Sequence, residues 1–238
     1  MGLVAACLLA PGAASAATTL DFEFLLNGEA GPYVVVTPDG TVTISGSGSN
    51  QGVAAFDTSD PGPNAGGEDT DLLVNSGLAL ILQDDNEPTQ TTSGIFDVPD
   101  DDANGGTISF VFSQAAQLFS LDLIDINGNG PATVTLTDGG GNSRIYDVPF
   151  DWTGDIAQGA IGIQTLDLTT LAAQVGVGPG NPLATASQDA GFDDTGVVQL
   201  DVFFAGSAAL DNLVFVPEPS TVLLVGLGLG TLALRRRS

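Results

Sequence analysis

The chain contains no histidine and no lysine, one cysteine, one tryptophan and four basic residues among 238. Cys7 lies in the apolar N-terminal stretch, so a chain relieved of that stretch has no cysteine. Internal disulfides, Cys/His zinc sites, Ser-His or Cys-His nucleophiles and a Schiff-base lysine are thereby excluded. Three of the four cations, Arg235, Arg236 and Arg237, stand together near the C-terminal end. Arg144 alone faces all 29 carboxylates, which fall between Asp21 and Glu218. A formal charge of −25 leaves no positive patch to neutralise phosphates, which argues against nucleic acid or an anionic membrane surface as partner. It suits divalent cations, and the self-repulsion that keeps such a chain soluble also loosens its compact state. The chemistry left belongs to carboxylates: paired Asp/Glu in glycoside hydrolysis, or hard-metal binding.

Both ends carry their own signals. Residues 1–16 are Ala/Leu-rich and close on Ala14-Ser15-Ala16, an A-x-A-like cleavage site, although no basic residue precedes Arg144. A signal peptide over 1–16 is the expectation. At the other end, Pro217-Glu218-Pro219 is stiff and extended, because proline donates no hydrogen bond and pushes the preceding residue toward β geometry. Residues 222–234 then run without charge, eight of them Leu or Val, up to the arginine stop. As a helix this run covers ~20 Å of a ~30 Å hydrocarbon core, a short transmembrane segment that snorkelling arginines help to seat. Gly226 and Gly230 share one face of it.

Motif, span and basic stop in this order resemble the PEP-CTERM sorting tail of exported proteins of Gram-negative bacteria. The resemblance covers residues 217–237, with Pro217, Glu218, Pro219, Arg235, Arg236 and Arg237 as its sorting residues. It implies exosortase, a membrane-embedded cysteine protease, as partner. It also implies a precursor transiently anchored in the inner membrane, then the cell surface or the extracellular polysaccharide matrix as destination.

Residues 17–216 remain as one domain, long enough to bury about 70% of its unfolded surface. Its pattern is all-β: short apolar alternations separated by Gly/Pro/Asp turns, giving a single β-sandwich of jelly-roll type. Strands are expected at 18–26, 33–37 and 41–45 (a hairpin on Pro38-Asp39-Gly40), 53–56, 71–74, 79–83 and 107–112. Others are expected at 118–126, 132–138 and 144–148 (a hairpin on Asp138 to Asn142), 163–168, 197–205 and 209–216. A short helix is expected at 169–175, and a long polar loop over 176–196.

Candidate sites are all acidic or aromatic. Gly105-Gly106-Thr107-Ile108-Ser109-Phe110, Leu123-Ile124-Asp125-Ile126 and Gly206 to Leu213 are similar to exported jelly-roll and galactose-binding-like modules. That resemblance implies a calcium between first and last strands, at Glu23 and Asp211-Asn212. Independently, the Asp/Asn/Gly loops 57–71, 84–87 and 97–102 offer the oxygens calcium wants, which brings in Asp57 and Asp71. Asp125 begins a half-match to an EF-hand loop that fails at its twelfth position, Leu136. Arg144, Tyr146 and Trp152 form either a sugar-stacking platform or core residues with the arginine paired to a local Asp. The leading functional expectation is a non-enzymatic exported protein with an adhesive or structural role. A calcium-dependent carbohydrate-binding module comes second. A two-carboxylate glycoside-active enzyme, for which no pair can be nominated, comes third.

Overall fold

Val, Ile, Thr and Phe alternating with small polar residues favour pleated, half-buried strands, and the Gly/Pro/Asp clusters between them keep those strands short. The computed structural model describes residues 16–218 except 39, 49, 68, 127–129 and 155–159. In chain order the strands are β1 (Thr18–Leu20), β2 (Tyr33–Thr37), β3 (Gly40–Ser47), β4 (Val53–Asp57), β5 (Leu78–Leu82), β6 (Gly106–Ile124) and β7 (Ala132–Asp138). There follow β8 (Ser143–Val148), β9 (Ile163–Asp167), β10 (Gln174–Val175), β11 (Leu183–Gln188), β12 (Val197–Phe204) and β13 (Ala209–Pro217). One 3-10 turn, Thr70–Leu72, is the only helical element among the described residues. The expected membrane run at 222–234, its arginines and nearly all of the expected signal segment lie outside the described residues. Within those residues no helix is long and apolar enough to cross a membrane.

The all-β expectation holds. The strands pair antiparallel in one 13-stranded sheet ordered β10-β11-β8-β7-β12-β6-β13-β5-β4, with β1 on β13, β2 on β3, and β3 and β9 on β6. The pairing therefore does not divide into the two separately bonded sheets of a jelly-roll sandwich. The reason is β6, 19 residues long. Its first part lies between β3 and β12, its second between β13 and β9. One apolar cluster draws from both parts, with Phe110, Phe112, Val134, Leu136 and Leu200 on one side and Leu121, Leu123, Leu213 and Phe215 on the other. Burying each such side chain contributes about 1.5–3 kcal/mol.

Several expected elements are corrected. The strand at 18–26 stops at Leu20; Phe22 takes φ 58° and Leu25 donates to its carbonyl at 2.9 Å, so Phe22 and Leu25 both turn inward while Phe24 is exposed. Residues 71–74 are not a strand but follow into and out of the 3-10 turn. The strands expected at 107–112 and 118–126 are one strand. No helix forms over 169–175, where β10 lies, and the supposed loop 176–196 contains β11 as an outer strand on β8.

Candidate functional site

Buried Gln83, just past β5, shapes the first acidic site. Its Nε2 donates to the carbonyls of Val98 (3.1 Å) and Glu87 (3.3 Å), and its Oε1 accepts from the Asp100 amide (3.2 Å). This folds loop 84–100 back so that Asp100 and Asp101 meet Asp69, whose Oδ2 accepts from the Asp101 amide at 2.9 Å. One oxygen from each of the three carboxylates lies within 4.8 Å of the others. Burial, then the Asp101 charge, pushes Asp69 up to about 7. Burial also pushes Asp101 up to about 7, against a bond from Ser207 Oγ (2.5 Å), and the charges of Asp125 and Asp71 add to the rise. Next to Asp101, Asp102 buries an Oδ2 that has no hydrogen-bond partner among the described residues. Two oxygens sharing one hard cation such as calcium at ~2.3–2.6 Å sit within ~5.2 Å of each other, and the three carboxylates do not exceed that spacing.

A second group sits across β6 and β13, where Asp122 and Asp211 are register partners. Burial raises Asp211 to about 7, and the charges of Asp122 and Glu23 contribute. Glu23 accepts the Leu78 amide at 2.8 Å. Asp211 accepts from Ser76 Oγ (2.6 Å) and the Asn212 amide (2.7 Å), and Asp122 from Thr165 Oγ1 (2.5 Å) and Asn212 Nδ2 (2.9 Å). The protein's own donors thus occupy most of these oxygens.

The sequence-derived metal candidates therefore divide. The charges of Glu23 and Asp122 reach Asp211, but among the described residues the three do not form a carboxylate cluster close enough to share an ion. Asp71 and Asp125 act on the Asp101 group, whose members Asp69, Asp100 and Asp101 sequence reasoning named only as parts of acidic loops. Asp57 serves its own loop: its Oδ1 accepts from Ser59 N (2.9 Å), and its carbonyl accepts from Asn64 Nδ2 (3.0 Å).

Arg144, Tyr146 and Trp152 are all buried, which removes the sugar-stacking platform and leaves the core alternative. Arg144 donates to Gln188 Oε1 (2.6 and 3.0 Å) and the Leu168 carbonyl (3.0 Å), pairs with Asp194 and lies 4.8 Å above the Phe192 ring. Tyr146 donates to the Leu168 carbonyl at 2.6 Å, and burial raises it to about 12. Trp152 donates to the Gln174 carbonyl at 3.3 Å.

The sorting residues begin where the sheet ends. Val216 and Pro217 pair with Gln117 and Ala116 of β6, and the Glu218 amide donates to the Ala115 carbonyl at 2.8 Å. Residues 215–237 match the family model of the PEP-CTERM protein-sorting motif. No curated protein matches the chain. The match overlaps the last three residues of β13 and runs through the apolar span to the arginines. The C-terminal end of the chain therefore carries a PEP-CTERM sorting motif, of the kind exosortase processes.

Proposed function

We propose that this is a non-enzymatic exported protein, delivered by exosortase to the cell surface or the extracellular polysaccharide matrix, where its β domain has an adhesive or structural role. The observation that carries this reading is the sorting motif at 215–237 directly behind a domain without His, Lys or Cys. We infer that the two parts of the sheet, which share one apolar cluster, face each other as the layers of a sandwich. The test is the intact mass and location of the natively produced protein. Loss of everything from the sorting motif onward, with recovery outside the inner membrane, supports the reading. Recovery in the membrane with Arg235 to Arg237 still attached sinks it.

A calcium-dependent carbohydrate-binding module is the second reading, and the Asp69–Asp100–Asp101 grouping favours it. Those three residues would hold the ion, whose charge would relieve their mutual repulsion and fix loop 84–100. Retention on polysaccharide columns that vanishes with chelator supports this reading. Equal retention with and without chelator ends it.

A further inference from the structure

The sorting signal starts inside the fold. Phe215 is 1% exposed and meets Phe112 edge to face, with ring centroids 5.3 Å apart. Pro217, the first proline of the motif, is also buried, and it lines a small cleft together with Thr37, Thr41, Phe112 and Gln114. With Glu218 bonded through its amide to Ala115, the front of Pro-Glu-Pro is committed to the edge of β6. A peptide-processing cleft takes its substrate as an extended strand, through the same main-chain groups and through pockets for its side chains. Residues already paired and buried offer neither.

We propose that the folded domain masks its own sorting signal, so that residues 216–218 must detach from β6 before the sorting enzyme binds them. The opening is local. Leaving Phe215 in place, it unpairs Val216 from Gln117, breaks the Glu218–Ala115 hydrogen bond and uncovers Pro217, while detachment past Phe215 exposes a buried ring and meets a steep cost. Slack in the chain does not avoid it: only Pro219 to Thr221 separate Glu218 from the apolar run, at most ~11 Å when extended. Processing of the folded precursor then follows the population of the opened end, whereas a chain met before β13 docks is processed freely. The proposal rests on residues 215–237 acting as a sorting signal.

The test uses the full precursor in a bacterium that carries the sorting enzyme, with tail loss followed by pulse-chase and intact mass. Inserting Gly-Ser-Gly-Ser between Val216 and Pro217 keeps Phe215 docked and frees the motif; tail loss should accelerate about tenfold, the factor that ~1.4 kcal/mol of opening free energy imposes. Gln117→Cys with Val216→Cys joins two register partners in a chain whose only native cysteine is Cys7. This cross-linked form should keep its tail until reductant is added. Equal rates for the native and linker chains, or native-rate processing of the cross-linked form, overturn masking and leave the sorting reading standing. Retention of the tail by native and variant chains alike sinks the sorting reading, and masking with it.

Discussion

Arg144 does not face outward to meet the carboxylates on the surface. The one cation between residues 17 and 220 is buried, bonded to Gln188 and the Leu168 carbonyl, and paired with Asp194. Arg144→Met keeps much of the volume and removes those bonds, leaving Gln188 without its donor. The expected loss is about 2–3 kcal/mol, read as a lower urea midpoint at unchanged slope. A loss under about 0.5 kcal/mol would return Arg144 to the ranks of surface residues. Gly77 is constrained by its backbone. Its φ is +96°, and a Cβ there would stand 1.8 Å from Glu23 Oε1. Gly77→Ala should therefore cost about 1–3 kcal/mol and dislodge Glu23 from the Leu78 amide, a change visible as faster hydrogen exchange at Leu78. Unchanged exchange there would mean that Glu23 holds its place by other means.

Among the elements, β6 decides how the domain unfolds. Because it belongs to both parts of the sheet, neither part keeps its full pairing without the other. Fluorescence of Trp152, which lies beyond β8, and far-UV circular dichroism of the whole sheet should give one coincident urea transition. Separate transitions would mean that the two parts fold independently. The hairpins β2–β3 and β7–β8 were legible because Pro38-Asp39-Gly40 and Asp138 to Asn142 carry turn chemistry in the chain itself. Asp138 Oδ1 accepts the amides of Gly140 and Asn142, both at 2.8 Å. β6 was not legible as one strand. Ser113 and Gln114 interrupt its apolar alternation on an exposed stretch, and the buried phase slips from Leu118 to Leu121. β11 was hidden because Leu-Ala-Thr-Ala-Ser-Gln has little to bury as an outer strand. The acidic site was legible only as a supply of carboxylates. Asp69 and Asp101 are brought together through buried Gln83, and no local pattern announces that.

At the scale of the whole molecule, the acids set the response to pH and cations. Asp69, Asp101 and Asp211 titrate near 7 in the fold against about 3.9 when unfolded. With the folded value raised, their contribution to stability is fully present below about pH 4 and is lost as pH rises through about 7. Asp138 runs the other way. Bonds from the Asn142 side chain and the Asp193 amide hold it down at about 2, so its contribution is present above about pH 4 and is lost only as pH falls through about 2. Between about pH 5 and 8 the three raised groups dominate, and the chelated domain should melt at progressively lower temperature across that window. Calcium competes with the protons for the same oxygens, so its upward shift of Tm should be larger at about pH 8 than at about pH 5. Diffuse screening of a −25 chain also raises Tm, and sodium chloride at matched ionic strength measures that part. Asp101→Asn separates the two effects. It removes one buried negative charge, so the chelated variant should melt higher than the native chain at about pH 8, while its calcium-specific shift should disappear. A variant that keeps the native calcium shift would show that the Asp69–Asp100–Asp101 group is not where the cation acts, and that the carboxylates serve this protein as a solubilising field.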